Sequence, residues 1–221
     1  MKSSLKSTIM EILDQSKDTG LVKDLDILDR DICYDLNIRE NDEGTIEVDR
    51  EKRIELAMIA TEAGAQIVDV VTLLTWKDFE GLIANILTEN NFKCTESFRR
   101  RGTSLVKGME IDVIGVRGRT IISVDAKLWS VRGGKGSALR DAAEKQKIRT
   151  SRLSSEMDRL STKIPSMVAG KYTIFPTMVT WLVEEVEMHE GVPVVPVFKL
   201  NGFIQDFEIY EDRIVSYYGQ Y

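Results

Sequence analysis

Two neighbouring segments with the alternation of β-strands constrain this chain more than any other feature. They span residues 110–116 and 120–127, and Gly118 between them marks a tight hairpin. Because side chains alternate between the two faces of a strand, Asp125 and Lys127 lie on one face of the second segment. Asp112 is in the first segment. The pattern therefore predicts that these charged side chains converge at one end of a sheet whose strands are otherwise apolar.

Such charges are expensive to bury unless they are paired or bind a metal. Two convergent carboxylates, Asp112 and Asp125, suit a hard divalent cation such as Mg²⁺, which takes a few carboxylate oxygens and keeps water for a substrate phosphate. The adjacent Lys127 can orient an attacking water or offset charge in the transition state. Glu80, in the preceding predicted helix, is a candidate third carboxylate. The alternative interpretation is structural, with a solvated strand face and Asp112 at an edge.

The scarcity of histidine and cysteine excludes several other chemistries. The 221 residues include one histidine, His189, and two cysteines, Cys33 and Cys94, without CxxC spacing. Histidine triads, multi-histidine metal centres, Cys-based zinc sites and a disulfide framework are therefore poor interpretations. No apolar run approaches the roughly 20 residues that span a bilayer, and the first residues lack the apolar core of a secretion signal. We expect a cytoplasmic protein with no membrane partner.

The charge of the chain is segregated along the sequence. Residues 1–74 hold 9 Lys and Arg against 17 Asp and Glu, residues 75–174 hold 19 against 11, and residues 175–221 hold 2 against 8. A basic middle therefore lies between two acidic ends. Phosphate contacts dominate nucleic-acid affinity, so a polyanion-binding centre needs such a region. A solvated basic helix explains the charge equally well.

The predicted elements divide the chain into two domains, residues 1–74 and 75–221. The first is small and mainly helical, with one short strand at 45–48. It is either a winged-helix-like module or a packing or oligomerisation module. Thr75 has the hydroxyl of a helix N-cap and begins the second domain. Its predicted order is α-β-β-β-α-β with further strands. The predicted helices are 75–90 and 137–160, and the predicted strands are 93–98, 110–116, 120–127, 177–186, 192–200, 203–209 and 214–218.

Three segments of the second domain together resemble a known family. They are Thr-Trp-Lys-Asp-Phe-Glu at 75–80, Glu-Ile-Asp-Val-Ile-Gly at 110–115, and Val-Asp-Ala-Lys-Leu-Trp at 124–129. They look like the core of the PD-(D/E)xK nuclease superfamily, most similar to Mrr-type restriction endonucleases and archaeal Holliday-junction resolvases. The resemblance covers about residues 75–190. It departs from the family pattern at Ile111, which stands where the motif has proline.

The resemblance implies a fold and a site. The fold would be α/β, with a restriction-endonuclease-like α-β-β-β-α-β core and a mixed sheet. Asp112 and Asp125 would be metal ligands, Lys127 the catalytic lysine, and Glu80 the helix acid that completes the site. Gln146, in the following helix, matches a glutamine that some branches place near the metal. The cofactor would be Mg²⁺, for which Mn²⁺ can substitute.

Basic residues surround this cluster in the sequence. The candidate DNA-binding residues are Arg99, Arg100, Arg101 and Lys107 before it and Arg132 and Lys135 after it. We interpret them as phosphate-tracking residues; the alternative is a solvated loop. Glu110 is a possible accessory residue, and Trp129 is placed either to stack on a base or sugar or to pack in the core.

The sequence thus favours a Mg²⁺-dependent deoxyribonuclease, an endonuclease of DNA restriction or repair that hydrolyses phosphodiesters with a metal-activated water. By the resemblance, DNA and a second copy of the chain are the expected partners, in a homodimer or higher homo-oligomer. Two rivals stay open. One is a non-cleaving DNA-binding subunit on the same fold, and the other is a protein-interaction subunit whose acidic N-terminal domain docks a partner.

Overall fold

The structure is a computed structural model that describes the backbone of residues 2–23, 27–41, 44–102, 108–127, 136–184 and 186–221. These residues form two compact units, Met1–Leu82 and Ile83–Tyr221. The fold is α/β with a mixed multi-stranded sheet, as the sequence predicts. Among the described residues, no helix combines the length and the apolar character needed to cross a bilayer.

The first unit is mainly helical. Its strands, β1 and β2, pair antiparallel through Leu21 with Glu47 and Val22 with Ile46. The division between the units falls inside its last helix, a few residues after the predicted domain boundary at 74 and 75. The elements are α1 (Lys2–Gln15), β1 (Leu21–Val22), α2 (Ile27–Asp35), β2 (Ile46–Glu47), α3 (Arg50–Glu62), α4 (Ile67–Thr72) and α5 (Trp76–Glu89).

Side-chain caps fix where α3 and α5 begin. The Asp49 carboxylate accepts a hydrogen bond from the Lys52 N–H at 2.8 Å, which satisfies an amide of the first turn that has no partner within the helix. At α5 the bonding is reciprocal: Thr75 Oγ1 accepts from the Asp78 N–H, and Asp78 Oδ2 accepts from the Thr75 N–H. The Thr75 cap is predicted from the sequence, and the structure confirms it.

A buried arginine joins the helices of the first unit. Arg53 is 3% exposed, and its Nε lies 3.0 Å from Asp78 Oδ2, which is equally buried. Its Nη1 donates to the Leu13 carbonyl at 2.8 Å and to Ser16 Oγ, and its Nη2 donates to the Leu73 carbonyl at 2.6 Å. One guanidinium of α3 therefore binds α1, the residue that follows α4, and the first turn of α5. Buried charge is tolerated because each of the three guanidinium nitrogens donates to an acceptor.

The second unit is built on one sheet. Within its described part, seven strands pair in the order β3-β4-β5-β6-β8-β7, with β9 also paired to β6. The pairs of β5 with β6 and of β6 with β8 are parallel, and the others are antiparallel. The elements after α5 are β3 (Lys93–Arg100), β4 (Met109–Arg117), β5 (Thr120–Lys127), α6 (Gly136–Leu153), α7 (Met157–Lys163), β6 (Lys171–Thr180), β7 (Met188–His189), β8 (Val192–Pro196), α8 (Val197–Gln205), α9 (Phe207–Tyr210), a 3₁₀ turn (Glu211–Arg213) and β9 (Tyr217–Gln220).

The hairpin of β4 and β5 has the predicted form. Gly118 has a φ of +57°, the left-handed conformation that glycine adopts without strain in a tight turn. Val113 pairs with Val124, and the register continues to Arg117 with Thr120. The residues of β5 from 121 to 126 are all buried, because this strand lies between two neighbours and is covered on both faces.

Helix α6 covers one face of the sheet. Its small and apolar residues Leu139, Ala142 and Ala143 form a buried cluster with Met178 of β6 and Val194 of β8. Burial of this stripe fixes the helix against the central strands, and it leaves the polar and charged side of α6 free to build a site.

The predicted helix 137–160 is wrong in its length, because it divides into α6 and α7. Ser154 Oγ donates to the Ser151 carbonyl and Ser155 Oγ to the Arg152 carbonyl. Serine side chains that bond to nearby backbone carbonyls compete with the helical pattern, and two in succession end α6 at Leu153. The polar composition of 137–160 is continuous across this break and therefore gives no sign of it.

The strand predictions of the last third also need correction. The strand predicted at 177–186 is β6, which ends at Thr180, and the strand predicted at 192–200 ends at Pro196. The segment 203–209 is helical and not a strand. The buried apolar residues of this region recur every three or four positions, which is the spacing of a helix, and the pattern starts before residue 203. They are Val197, Leu200, Ile204 and Phe207.

Strand β6 shares one of its edges between two partners. Residues 171–174 pair with β9, and residues 178–180 pair with β8. Pro176 stands between the two pairings, and it has no N–H to donate to a strand on that edge. Strand β6 therefore changes its pairing partner on this edge at Pro176, which cannot continue the hydrogen bonds between strands.

Candidate functional site

Strand β5 positions the central charged pair. Asp125 and Lys127 are two residues apart and lie on the face that α6 covers, together with Ser123. Asp125 is 2% exposed, whereas the side chain of Lys127, at the last position of the strand, is 18% exposed. A carboxylate this deeply buried must have partners that offset the loss of hydration.

Two cations flank the Asp125 carboxylate. Arg149 Nη1 of α6 donates to Oδ1 at 2.5 Å. Lys127 Nζ lies 2.7 Å from Oδ2 as an ion pair. Among the described residues, Oδ2 nevertheless has no hydrogen bond of good geometry. Asp125 Oδ1 is therefore hydrogen-bonded to α6. Asp125 Oδ2 is close to the Lys127 ammonium group but can still accept a hydrogen bond or a cation.

Asp112 lies at the same end of the hairpin. Its Oδ2 accepts a hydrogen bond from the backbone N–H of Ala126 at 2.8 Å. Ala126 is the residue between Asp125 and Lys127, so the structure brings all three charged residues to one end of the β4–β5 pair. Asp112 is only half-buried. Their roles as metal ligands and catalytic lysine stay predictions.

A buried polar cluster lies beside this end of β5. Gln146 and Thr150 of α6 and Ser123 of β5 are each 0% exposed. Gln146 Nε2 donates to the Ser123 carbonyl at 2.7 Å and lies 3.1 Å from Ser123 Oγ, and Thr150 Oγ1 also lies 3.1 Å from that hydroxyl. Gln146 Oε1 has no hydrogen-bond partner among the described residues. A buried oxygen without a partner is uncommon, and it calls for a ligand or a functional explanation.

Glu80 is held within the first unit. Its side chain is 3% exposed; Trp76 Nε1 donates to Oε1 at 2.5 Å, and Lys77 Nζ contacts Oε2 at 2.5 Å. Both carboxylate oxygens therefore have donors from the first turn of α5. The contribution of Glu80 to a metal site stays a prediction.

The three consecutive arginines at the end of β3 have different surroundings. Arg99 pairs with Glu110 across the strand, with Nη2 2.7 Å from Oε1, and both side chains are largely exposed. Arg100 is mostly buried and its Nε lies 2.9 Å from Glu156 Oε1. Arg101 is exposed. Arg99 and Arg101 are thus accessible to a phosphate, whereas Arg100 faces a carboxylate on the polypeptide.

These arginines line a groove with one side of α6. The groove has a volume of about 540 Å³ and is lined by six cationic side chains and one carboxylate, with Arg100 and Arg149 also paired to the carboxylates of Glu156 and Asp125. Phosphate groups are the ligands that such a charge excess favours. The lining residues are Arg99, Arg100, Arg101, Gly108, Met109, Glu110, Lys145, Ile148, Arg149 and Arg152.

Half of these cations are absent from the residues predicted from sequence. Lys145, Arg149 and Arg152 follow one another at spacings of four and three, which places them on one face of a helix. That spacing in the sequence indicates a cationic face on the predicted helix. Arg149 is the residue that joins the two features, because it lines the groove and also binds Asp125.

Four of the predicted residues lie outside the described residues. Three are candidate phosphate contacts, and the fourth is the aromatic residue after the D-x-K motif. They are Lys107, Arg132, Lys135 and Trp129.

A second group of potential ligand atoms includes the single histidine. Glu144, His189 and Glu190 each offer an atom within 4.8 Å of the others. Lys147 Nζ already lies 2.9 Å from Glu190 Oε2, and this hydrogen bond lowers the pKa of Glu190 and raises the pKa of Lys147. An exposed cluster that contains its own lysine has little excess negative charge to attract a cation.

Burial disfavours a nucleophilic role for the two cysteines. Burial raises the pKa of the Cys94 thiol, which disfavours the reactive thiolate. Cys33 is buried. Carboxylate and lysine chemistry therefore remains the basis of the candidate site.

Comparison with known proteins gives relatives without an established function. No family model matches the chain. An uncharacterized protein of Archaeoglobus fulgidus is 29% identical over 137 residues, which are 62% of this chain and 95% of the relative.

Two solved structures are distantly similar. One is a protein of unknown function, AF1548, with a TM-score of 0.29 and 15% identity over 57% of this chain and 52% of that one. The other is protein VC1899 from Vibrio cholerae, with a TM-score of 0.36 and 11% identity over 96% of this chain and 51% of that one. The chain thus spans about half the length of each, and likenesses this distant carry no argument about its function.

Proposed function

We propose that the chain is a divalent-metal-dependent DNA endonuclease with a restriction-endonuclease-like core. One observation carries the proposal: the Asp112, Asp125 and Lys127 cluster at one end of the β4–β5 hairpin is joined through Arg149 to a cationic groove. Carboxylates that can hold a cation and a surface that can hold phosphates are the two requirements of metal-dependent phosphodiester hydrolysis. The element order α5-β3-β4-β5-α6 before β6 supports the same core.

The donor set fits a hard cation. Asp125 Oδ2 and Gln146 Oε1 are buried oxygens without a hydrogen bond among the described residues, and Asp112 adds a half-buried carboxylate. Oxygen ligands of this kind suit Mg²⁺ or Mn²⁺. Asp112 and Asp125 would hold the ion, and a role for Glu80 is what the family resemblance alone implies. When bound, the ion supplies charge stabilisation at the phosphate and a more acidic water.

The chain's own residues supply orientation and charge. Lys127 Nζ sits against Asp125 Oδ2, where its ammonium group is fixed beside the proposed ion ligand and can hold the attacking water or the negative charge of the transition state. The groove cations bind the phosphates on either side of the scissile bond. Ile148, half-exposed among these cations, gives an apolar surface against which a sugar or base can pack.

Plasmid cleavage tests this proposal directly. The protein is incubated with supercoiled plasmid and with a four-way junction, in Mg²⁺, in Mn²⁺ and in chelator. We expect cleavage only with metal, and we expect Lys127→Met to lower the rate by about 100-fold or more. Lys93→Met is the matched control, because Lys93 is an exposed lysine at the start of β3 in the same sheet. Equal rates for Lys127→Met and the wild type would remove the lysine from the mechanism.

A second candidate function is a DNA-binding subunit that does not cleave. The pairing of Asp125 with both Arg149 and Lys127 favours it, since these cations neutralise the carboxylate without a metal. This subunit would bind DNA with a strong salt dependence and show no cleavage of either substrate with either metal. Absence of salt-dependent DNA binding would contradict both candidates and favour the protein-interaction alternative. The homo-oligomeric state and the cytoplasmic location belong to the proposal as expectations from sequence.

A further inference from the structure

We infer that Arg149 couples nucleic-acid binding in the groove to metal binding at Asp125. In this inference, which rests on the proposed function, one guanidinium has two alternative anionic partners. Without nucleic acid it is the counter-ion of Asp125. With nucleic acid it binds a phosphate, and Asp125 is released to hold the cation.

The position of Arg149 supports both roles. Its Nη1 lies 2.5 Å from Asp125 Oδ1, while its side chain remains 34% exposed and lines the groove. Asp125, in contrast, is almost completely buried. The arginine is therefore the member of the pair that can move to a ligand in the groove without unfolding any strand.

Competition follows from charge. A guanidinium and a divalent cation both need the Asp125 oxygens, and two cations at one carboxylate repel each other. Phosphate is a strong alternative partner for arginine, because it accepts the same charge-assisted, bidentate hydrogen bonds as a carboxylate. Occupation of the groove by a phosphate therefore makes Asp125 more available to the metal.

Lys127 does not have this freedom. It is on the same strand as Asp125, two residues further on, and the strand backbone keeps the two charges side by side. Lys127 thus stays with the site in both states, whereas Arg149 arrives from a different element, α6. The coupling is assigned to Arg149 as a positioning residue and not as a catalytic one.

Linkage makes the coupling measurable from either side. If a duplex tightens metal binding by some factor, the metal must tighten duplex binding by the same factor. Coupling between two sites typically amounts to about 5–150-fold, and we expect a factor of about 10 here. Binding is measured with full-length protein, Mn²⁺ followed by electron paramagnetic resonance, and a short phosphorothioate duplex that resists cleavage.

Three variants isolate the arginine. Arg149→Gln should bind Mn²⁺ several-fold more tightly than the wild type in the absence of duplex, and the duplex should then add less than about twofold. Arg149→Lys keeps the positive charge and should retain part of the coupling. Arg152→Gln is the matched control: it removes a cation of the same helix and groove that does not pair with Asp125 among the described residues, so it should weaken duplex binding and keep the tenfold factor.

The outcomes separate this inference from the proposed function. Full coupling in Arg149→Gln, or Mn²⁺ binding to that variant no tighter than to the wild type, overturns the inference and leaves the proposed function standing. Equal Mn²⁺ binding by the wild type and Asp125→Asn in the presence of duplex, or no duplex binding by the wild type, overturns the proposed function and the inference with it.

Discussion

Removal of the buried Arg53 should destabilise the first unit by about 4 kcal/mol. The Arg53→Met substitution keeps an apolar stem of similar length, but it leaves the Asp78 carboxylate buried at 3% exposure without its counter-ion. Breaking one side of a buried ion pair costs about 3–5 kcal/mol. The carbonyls of Leu13 and Leu73 also lose a charged donor, which keeps the estimate above the lower end of that range.

A double-mutant cycle separates the ion pair from the other bonds of the arginine. Asp78→Asn keeps an oxygen that can accept from the Thr75 N–H and removes only the charge. The combined Arg53→Met and Asp78→Asn protein should be more stable than the sum of the single changes predicts, by about 2 kcal/mol, because no charge remains buried alone. Lys52→Met is the control: its ion pair with Glu55 is half-exposed and should contribute less than about 1 kcal/mol.

Urea unfolding gives the free energies, and hydrogen exchange followed by mass spectrometry localises the loss to peptides of α1 and α3. Two results would refute the reasoning. One is an Arg53→Met protein that loses less than about 1 kcal/mol, which is the range of surface pairs. The other is a cycle in which the two changes are additive, because residues in a real buried pair are coupled.

Three further predictions concern the second unit. Arg101→Gln combined with Arg152→Gln should lower the slope of duplex affinity against salt by about one unit per lost phosphate contact, measured by fluorescence anisotropy; an unchanged slope would mean that the groove is only a solvated surface. Asp112→Asn keeps an oxygen for its backbone hydrogen bond, so it should weaken Mn²⁺ affinity at least about tenfold while leaving the thermal midpoint unchanged. Gly191→Ala should lower the free energy of unfolding, measured by urea denaturation, by about 1–3 kcal/mol. The glycine has a φ of +78°, and a new Cβ would lie 2.8 Å from the Val215 backbone nitrogen. A variant as stable as the wild type would show that the loop adjusts.

The features that sequence reasoning predicted well are those set by local geometry. A period of two puts Asp125 and Lys127 on one face whatever surrounds them, and a glycine between two apolar runs produces the hairpin at Gly118. The Thr75 cap belongs to the same class, since a capping side chain bonds to an amide two or three residues away. Each of these is decided within a few residues of the chain.

The features that it missed depend on distant partners or on competing patterns. Arg149 and Asp125 are 24 residues apart in the sequence, and Arg53 and Asp78 are 25 residues apart. The residues around each arginine do not indicate which carboxylate it will bind. The sequence predicts strands in place of α8 because Pro196 and a run of valines precede it, and a short apolar run does not distinguish a strand from a helix.

The shared edge of β6 has a consequence for synthesis on the ribosome. Residues 171–174 pair with β9 at 217–220, so that part of the edge stays open until roughly 40 more residues have been added, which takes about 2–8 s at typical rates. During this interval a nearly complete sheet presents free backbone groups and apolar side chains to other nascent chains. Lys171, at the exposed start of the strand, is the kind of residue that discourages such pairing. Slow elongation through residues 181–216 should therefore lower the yield of folded protein more than slow elongation elsewhere.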